Sequence, residues 1–361
     1  MRILIAGGGT GGHVFPALAL AEAFRAKAPD HEILFVGGGK GLEASLVPRA
    51  GYALRTIEVA SLKGKSLAGK IRGLLGLPRS ILQSRKLIRS FRPDLVLGMG
   101  GYASGPVVLT AWAMNCRTAV HEQNAFPGLS NRILARFVDR IFLSFEASAP
   151  HFPPGRTVLT GNPVRRKLQP KDGGIRAPGE GGFTLFVFGG SQGAHRLNQA
   201  MMEALPGWGE MKERLRIIHQ TGPSDLEAVR RAYRREGFRA EVHPFIDRME
   251  EAYGAADLVL CRAGATTLFE LMAMGKPALL VPYPFAANDH QRRNALAMVE
   301  AGAALLLENG ALTGERLSRT VNALSADPER LREMGRRAAA LAQPRAAERI
   351  VEMCCRMVSG E

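Results

Sequence analysis

The sequence predicts an α/β protein built from two Rossmann-like, doubly wound parallel-sheet domains that face a central cleft. Short, nearly all-apolar runs alternate with helical patterns in both halves of the 361-residue chain, and each half opens with a strand, a glycine turn and a helix. A stretch rich in Pro, Gly, Arg and Lys separates the halves at 150–182. The alternation is typical of parallel sheets covered by helices on both faces, and the break is typical of a hinge.

In the first half, apolar runs predict five strands, at 3–6, 33–36, 95–98, 118–121 and 140–144. Helical periodicity follows most of these strands, most clearly at 14–28 and 128–137. Continuous apolar strands that are joined through helices require a parallel sheet buried on both faces. We therefore predict that residues 1–163 form the first domain.

The pattern restarts after the break with an apolar run at 183–188, and further strands are predicted at 216–219, 241–244, 258–261 and 278–282. Residues 312–358 are almost continuously helical in pattern, with breaks near Pro328 and Pro344 because proline ends or kinks a helix. We assign residues 164–340 to the second domain. We expect a C-terminal helix at 341–361 to pack back on the first domain.

The charge balance predicts an anionic partner. A count of 48 Lys and Arg against 33 Asp and Glu gives a net charge of +15, which suits nucleic acid, anionic lipid or a phosphorylated substrate. The four cysteines lack C-x-x-C spacing, so neither a zinc site nor a disulfide framework is indicated. No apolar run has the length of a signal peptide or a membrane span, so we expect neither export nor a transmembrane segment.

Four glycine-rich turns, at 7–12, 99–106, 188–194 and 262–267, each close a predicted strand and open a helix. The first turn matches G-x-G-x-x-G, but the second strand ends without the Asp or Glu that holds a dinucleotide ribose, which argues against a nicotinamide oxidoreductase. Ligands of open α/β sheets bind outside the carboxyl ends of the strands, where helix N-termini favour anions. Four such turns therefore indicate a phosphorylated ligand.

The turns and the residues that follow them resemble the MurG family of UDP-N-acetylglucosamine:lipid I N-acetylglucosaminyltransferases. The matching motifs run in order along nearly the whole chain: GGTGGHVFPA at 8–17, GGYASGP at 100–106, HEQN at 121–124, TGNPVR at 160–165, GGSQGA at 189–194 and RAGATT at 262–267. The loop PFAANDHQ at 284–291 departs from the family pattern.

The resemblance implies an inverting glycosyltransferase with the GT-B fold. Such an enzyme moves N-acetylglucosamine from its UDP donor to the C4 hydroxyl of the muramyl sugar in undecaprenyl-pyrophosphoryl-MurNAc-pentapeptide (lipid I). The product, lipid II, serves peptidoglycan synthesis, and hence cell shape and division. The resemblance also implies a peripheral protein on the cytoplasmic face of the inner membrane. A UDP-N-acetylglucosamine 2-epimerase of the same fold is the alternative.

Individual residues receive roles from the same resemblance. His13 is the candidate general base on the acceptor hydroxyl because an imidazole suits this proton transfer, and Glu122 is the alternative base. Phe245 and Ile246 are expected to hold the uracil, and Glu270 the ribose. Contacts with the acceptor or its diphosphate are implied at Gly101, Tyr102 and Ser104. Contacts with UDP-N-acetylglucosamine are implied at Thr10, Gly11, Gly12, Asn124, Arg165, Ser191, Phe245, Ile246, Ala265, Thr266, Thr267, Leu268, Phe269, Glu270 and Gln291, with Asn288 a weaker candidate.

No Asp-x-Asp motif is present, so glycine turns and helix N-termini are expected to stabilise the leaving diphosphate without a metal or cofactor.

A basic segment between Val59 and Pro93 carries nine Lys and Arg and no acidic residue. Its leucines and isoleucines recur at helical spacing, which is typical of a segment on an anionic membrane surface. Lys70, Arg72, Leu74, Leu75 and Arg79 are the predicted membrane contacts. A core-facing helix with solvated cations is the alternative interpretation. Nucleic acid is disfavoured because neither an aromatic-rich basic motif nor a helix-turn-helix pattern accompanies the charge.

Overall fold

The protein is described from a computed structural model, which defines residues 1–59, 76–168 and 182–360. The chain divides into two compact units, Met1–Arg165 with Gln343–Glu361 and Arg166–Ala342. The sequence predicts domain boundaries after residues 163 and 340. The structure places both boundaries two residues later, after Arg165 and Ala342.

The first unit contains a seven-stranded parallel sheet with the order β3-β2-β1-β4-β5-β6-β7. Its strands are β1 Arg2–Ala6, β2 Glu32–Gly37, β3 Ala53–Thr56, β4 Leu95–Gly98, β5 Arg117–Glu122, β6 Arg140–Leu143 and β7 Thr157–Leu159. Its helices are α1 Gly11–Lys27, α2 Glu43–Arg49, α3 Leu77–Phe91, α4 Ser104–Ala113 and α5 Leu129–Leu134, and Glu146–His151 forms a 3₁₀ helix. Strand β1 lies in the interior of the sheet next to the central strand β4, and Leu4 pairs with Leu34 on one side and Val96 on the other.

The second unit repeats this design with a six-stranded parallel sheet of order β10-β9-β8-β11-β12-β13. Its strands are β8 Phe183–Phe188, β9 Leu215–Gln220, β10 Arg239–His243, β11 Leu258–Cys261, β12 Ala278–Leu280 and β13 Ala304–Leu306. Its helices are α6 His195–Ala204, α7 Leu226–Glu236, α8 Met249–Ala255, α9 Ala265–Ala273, α10 His290–Glu300, α11 Gly314–Ser325 and α12 Pro328–Ala340. Short 3₁₀ helices lie at Arg166–Leu168, Leu205–Met211, Ala287–Asp289 and Asn309–Ala311.

The C-terminal helix α13, Ala346–Ser359, belongs to the first unit and packs against α1. Ile350, Val351 and Cys354 on this helix are fully buried in the same apolar core as β1. The chain therefore completes its first core with its last helix.

Three strands were not predicted from the sequence: β3, β7 and β13. All three are edge strands of three or four residues. Strands β3 and β7 have partly or largely exposed side chains and lack the continuous apolar run that marks a central strand, whereas β13 lies in a short apolar run at 303–307 that was not assigned. Strand β7 also corrects the interpretation of 150–182 as a linker, because residues 157–159 extend the first sheet. Residues 169–181 of that segment lie outside the described part of the chain.

Within the described residues, no helix is both long enough and apolar enough to cross a membrane.

Candidate functional site

The carboxyl ends of the central strands carry the four glycine turns. In the first unit the turns follow β1 and β4, which pair directly, and in the second unit they follow β8 and β11, which also pair directly. Parallel strands end at the same edge of a sheet, so each unit brings two glycine turns and two helix N-termini together.

The two turns of the first unit touch through their backbones. Gly101 has a φ of +80°, and a Cβ on it would lie 2.6 Å from the Gly8 carbonyl oxygen. Only glycine allows both the left-handed backbone and this approach. Tyr102 is exposed beside the turn, whereas Ser104 is fully buried against Gly98 at the start of α4. The Ser104 hydroxyl is thus turned toward the sheet, and the contact of this residue with the acceptor stays a prediction.

His13 lies in the first turn of α1, and its ring reaches back to the glycine turn. Its Nδ1 is 3.2 Å from the carbonyl oxygen of Gly8. A carbonyl can only accept, so Nδ1 carries the proton and Nε2 is the basic nitrogen of the neutral ring. That nitrogen lies beside the second turn, because a Cβ on Gly100 would be 3.0 Å from it. The geometry therefore suits proton abstraction at the edge of the sheet.

Behind His13 lies a buried polar network at the end of β5. His121 donates through Nε2 to the Gly161 carbonyl at 3.1 Å, and its Nδ1 accepts from the Gln123 amide at 3.1 Å. The same amide donates to the Met99 carbonyl at 3.0 Å. Burial lowers the pKa of His121 to about 4, so the ring is neutral near pH 7.

Glu122 is 1% exposed and serves as the anchor of the following loop. One oxygen accepts from the backbone and side-chain nitrogens of Asn124 at 2.9 and 3.2 Å, and the other accepts from Gly128 N at 3.1 Å and Asn131 Nδ2 at 2.9 Å. Burial raises the pKa of Glu122, and these hydrogen bonds oppose the rise. A carboxylate with four donors and almost no exposure does not suit the alternative role of general base.

The remaining first-unit candidates surround the start of α1. Thr10 is exposed and precedes the helix, and Gly11 and Gly12 are its first two residues. Arg165 places its guanidinium carbon 4.5 Å from the centre of the Phe15 ring. The sequence had grouped Arg165 with the second domain, but it is the last residue of the first unit's main segment. Its guanidinium therefore lies near the glycine turn that precedes His13.

In the second unit, the turn after β8 packs against the residues that follow β9. Gly193 has a φ of +76°, and a Cβ on it would overlap the Thr221 carbonyl. Ser191 is half-buried in this turn, just before α6. The close backbone packing at Gly193 fixes the path of the turn that carries Ser191.

Gln220 is a site residue that sequence reasoning missed. It ends β9 and is 3% exposed. Its amide nitrogen donates to the Gly190 carbonyl at 2.8 Å, and its amide oxygen accepts from Ile246 N at 2.7 Å. Gln220 thus joins the glycine turn to the predicted uracil pocket, where Phe245 and Ile246 are half-buried. The rule that ligands gather at strand ends would have selected it.

Helix α9 carries the largest group of predicted donor contacts. Leu268 and Phe269 are buried at 0% and 4% exposure, so their side chains belong to the interior and not to a ligand surface. The first hydrogen bond of the helix runs from Leu268 N to the Gly264 carbonyl. The backbone amides of Ala265, Thr266 and Thr267 come before this bond and form the helix N-terminus.

Glu270 lies one turn further along α9 and is 5% exposed. One carboxylate oxygen accepts from the Tyr253 hydroxyl at 3.0 Å. This bond orients the carboxylate, and a ribose would have to reach it at a mostly buried position.

Gln291 is oriented by the loop that precedes it. Its side-chain oxygen accepts from Tyr283 N at 2.9 Å, so its amide nitrogen is the group suited to a sugar hydroxyl. Arg262 secures the same loop by donating to the Val281 and Pro282 carbonyls at 3.1 and 3.0 Å. Asn288 is exposed and has a φ of +53°.

A second buried histidine lies in the second unit. His219 donates through Nε2 to Asn198 Oδ1 at 3.0 Å and accepts at Nδ1 from the Tyr233 hydroxyl at 2.7 Å. Burial lowers the pKa of His219 to about 3. Each unit therefore contains a buried histidine that is neutral near pH 7.

Because of these two buried histidines, we expect the folded protein to lose stability in acid. An unfolded chain binds protons to histidine below about pH 6.5, but the folded protein does not until about pH 4 for His121 and about pH 3 for His219. Their contribution to the free energy of unfolding is thus complete above pH 6.5 and is lost as pH falls, by at most about 1.4 kcal/mol per pH unit for each ring. Between pH 4.5 and 7.5, the free energy of unfolding measured in urea should depend less steeply on pH for His219→Gln than for wild type. His243→Gln, at an exposed position, is the control, and equal slopes in all three proteins would contradict the assignment.

Among the described residues, no group of three or more His, Cys, Asp or Glu side chains is placed to hold a metal ion.

Two parallel-sheet α/β units with glycine turns at the strand ends form the fold that two-domain glycosyltransferases share with UDP-sugar epimerases. Residues 3–143 match the N-terminal domain of glycosyltransferase family 28, and residues 184–350 match its C-terminal domain. The chain belongs to glycosyltransferase family 28.

A relative from Anaeromyxobacter dehalogenans (strain 2CP-C) is 51% identical over 359 residues, which cover 99% of this chain and 93% of the relative. It is named UDP-N-acetylglucosamine–N-acetylmuramyl-(pentapeptide) pyrophosphoryl-undecaprenol N-acetylglucosamine transferase. The crystal structure of Acinetobacter baumannii MurG superimposes with a TM-score of 0.78 at 28% identity, covering 98% of this chain and 99% of that one. A putative UDP-N-acetylglucosamine 2-epimerase from Listeria monocytogenes has a TM-score of 0.68 at 15% identity, covering 97% and 94%, and shares the fold alone.

Proposed function

We propose that the enzyme transfers N-acetylglucosamine from UDP-N-acetylglucosamine to the C4 hydroxyl of the muramyl sugar in undecaprenyl-pyrophosphoryl-linked MurNAc-pentapeptide. The observation that carries the proposal is 51% identity, over nearly the full length of both chains, to a relative named for this reaction. The alternative, epimerisation of the same donor, has only the shared fold in its favour. Transfer of labelled sugar to a lipid I analogue is the test.

The donor is assigned to the second unit. The amides at the α9 N-terminus and the turn around Ser191 are suited to the diphosphate, and the half-buried Phe245 and Ile246 to the uracil. Because the Ile246 amide already donates to Gln220, the base edge would use other backbone groups of this segment. Glu270 is assigned to the ribose hydroxyls and Gln291 to the sugar.

The acceptor and the base are assigned to the first unit. His13 Nε2 takes the proton of the C4 hydroxyl while that oxygen forms a bond to the anomeric carbon. The bond between this carbon and the β-phosphate oxygen breaks, and its electron pair leaves with UDP. The products are the β-linked disaccharide, UDP and one proton on His13. The first two glycine turns, including Gly101, are suited to the acceptor's diphosphate through their backbone amides.

In this proposal the helix N-termini of the second unit stabilise the leaving diphosphate, so no metal is required. Chelation of divalent cations with EDTA should then leave transfer unaffected.

A membrane surface is assigned to helices α3, α4 and α5. On α3 the buried residues are Ser80, Ser84 and Ile88, whereas Ile81 and Leu82 face solvent. Leu87, Ile88 and Phe91 pack on the core, as a core-facing helix would, but Ile81 and Leu82 remain as exposed apolar side chains that this alternative does not use. Exposed cations follow on the same helix at Arg85, Lys86 and Arg89.

Helix α4 packs against both α3 and α5 and adds Trp112, which is 44% exposed. Helix α5 adds Leu129 and Ile133, at 63% and 51%. Apolar side chains beside cations are suited to an anionic bilayer surface. Of the predicted contacts, Lys70, Arg72, Leu74 and Leu75 lie outside the described residues, and Arg79 pairs with Glu58 at 2.8 Å.

The double variant Leu82→Gln/Ile133→Gln should lower partitioning onto vesicles with anionic phospholipid by about 10-fold or more, because two apolar side chains are lost from the contact. Co-sedimentation measures the partitioning. Phe285→Gln, at a 76% exposed position of the second unit, is the matched control. Equal sedimentation of the double variant and wild type would exclude this surface.

A further inference from the structure

Glu43 is a buried carboxylate that the proposed reaction leaves without a role. It lies on α2, outside every predicted motif, and is 2% exposed. Its Oε2 accepts from the backbone N–H of Gly9 at 2.8 Å. Gly8 and Gly37 close around it, since a Cβ on either glycine would lie 2.6 Å from the Glu43 side chain. The carboxylate is therefore enclosed against the turn that precedes His13.

The Glu43 and His13 contacts meet on a single peptide group. The N–H of Gly9 donates to Glu43, and the C=O of Gly8, in the same peptide unit, accepts from His13 Nδ1. Hydrogen bonds on both ends of a peptide polarise it, and the effect is stronger when one partner is charged and buried. The negative charge thus increases the electron density on the Gly8 oxygen that holds the imidazole.

We propose that Glu43 is a positioning residue that acts on His13 through the Gly8–Gly9 peptide. This inference rests on the proposed role of His13 as general base. Glu43 fixes the tautomer with the proton on Nδ1 and makes Nε2 more basic, as an aspartate does for the histidine of a serine protease, but with a peptide between the two side chains. The backbone bond from Leu42 N to the Gly9 carbonyl, at 3.3 Å, holds the same turn from its other side.

Other charges near this turn do not replace Glu43. His121 stays neutral because burial lowers its pKa to about 4, and Glu122 is enclosed by its own four hydrogen bonds. The Arg165 guanidinium stacks on Phe15, and a cation cannot supply the negative charge. The other ionisable groups on α1, α2, β3 and the loop before α2 are exposed to solvent and screened: Glu22, Arg25, Lys27, Lys40, Arg49 and Arg55.

The variant Glu43→Gln tests the charge while keeping an oxygen that can accept from Gly9. Loss of the charge should lower kcat at saturating substrates by about 3- to 10-fold, because the base is weaker. The half-maximal point on the acidic side of the kcat profile should move down by about 0.5 to 1 pH unit, since the imidazolium loses a nearby negative charge. UDP affinity should not change. Asp30→Asn, which removes an exposed charge from the same unit, should alter none of these.

Nitrogen NMR of the ¹⁵N-histidine-labelled protein tests the same inference without turnover. His13→Ala identifies the His13 signals, and the wild-type ring should show a protonated Nδ1. Its titration midpoint should fall in Glu43→Gln and not in Asp30→Asn. Equal midpoints in wild type and Glu43→Gln would overturn the inference, even if kcat falls. Full turnover by His13→Ala would instead refute the base assignment, while the NMR midpoint would still report whether Glu43 acts on the ring.

Discussion

Replacement of His13 with alanine is expected to lower kcat by about 10²- to 10⁴-fold, the usual range for a general base. The ring is fixed by its bond to the Gly8 carbonyl, so that Nε2 is its basic nitrogen beside Gly100. The residue lies in the first unit, whereas the donor is assigned to the second. UDP affinity should therefore be retained, which calorimetry can measure alongside steady-state transfer rates.

His31 provides a matched control for this variant. Its Nδ1 lies 3.0 Å from the Phe24 carbonyl, the same kind of bond in the same unit, at the far end of α1. His31→Ala should keep normal turnover. A His13→Ala loss confined to KM for the acceptor would make His13 a positioning group, and unchanged turnover would require a different base.

The second large effect is expected for Glu270→Ala, which should weaken UDP binding by about 1–3 kcal/mol through lost hydrogen bonds to the ribose. The side chain is mostly buried and is held by Tyr253, so its removal should also reduce the free energy of unfolding. Isothermal titration with UDP measures the first effect, and urea unfolding the second.

Tyr253→Phe separates the two effects. It removes the hydroxyl that donates to Glu270 but leaves the carboxylate in place. This variant should lose stability while binding UDP nearly as wild type does. If Glu270→Ala binds UDP with unchanged affinity, the carboxylate has a structural role only.

The central strands of both sheets were predictable because each is a continuous apolar run between helices, as in β1, β4, β8 and β11. The strands at three of the four sheet edges were not predicted, because an edge strand is short and partly exposed. The glycine turns were predictable for the same reason as the central strands, since each turn directly follows one of them.

The interior of the site was less predictable. Glu43 meets Gly9 across 34 positions of sequence, and Gln220 meets Gly190 across 30, and no local pattern records such pairs. For Ser104, a motif residue at a helix start, the packing turns the hydroxyl toward the sheet, which no sequence pattern indicates. Similarity of motifs selected the candidate residues, but only the packing shows which of their side chains are buried.

The most direct test of the account is transfer of labelled N-acetylglucosamine from its UDP donor to a lipid I analogue, with EDTA in a parallel reaction. A β-1,4-linked product should form at the same rate in EDTA, and its formation should be nearly abolished in His13→Ala. Donor epimerisation or hydrolysis without transfer to the acceptor would contradict the proposed function.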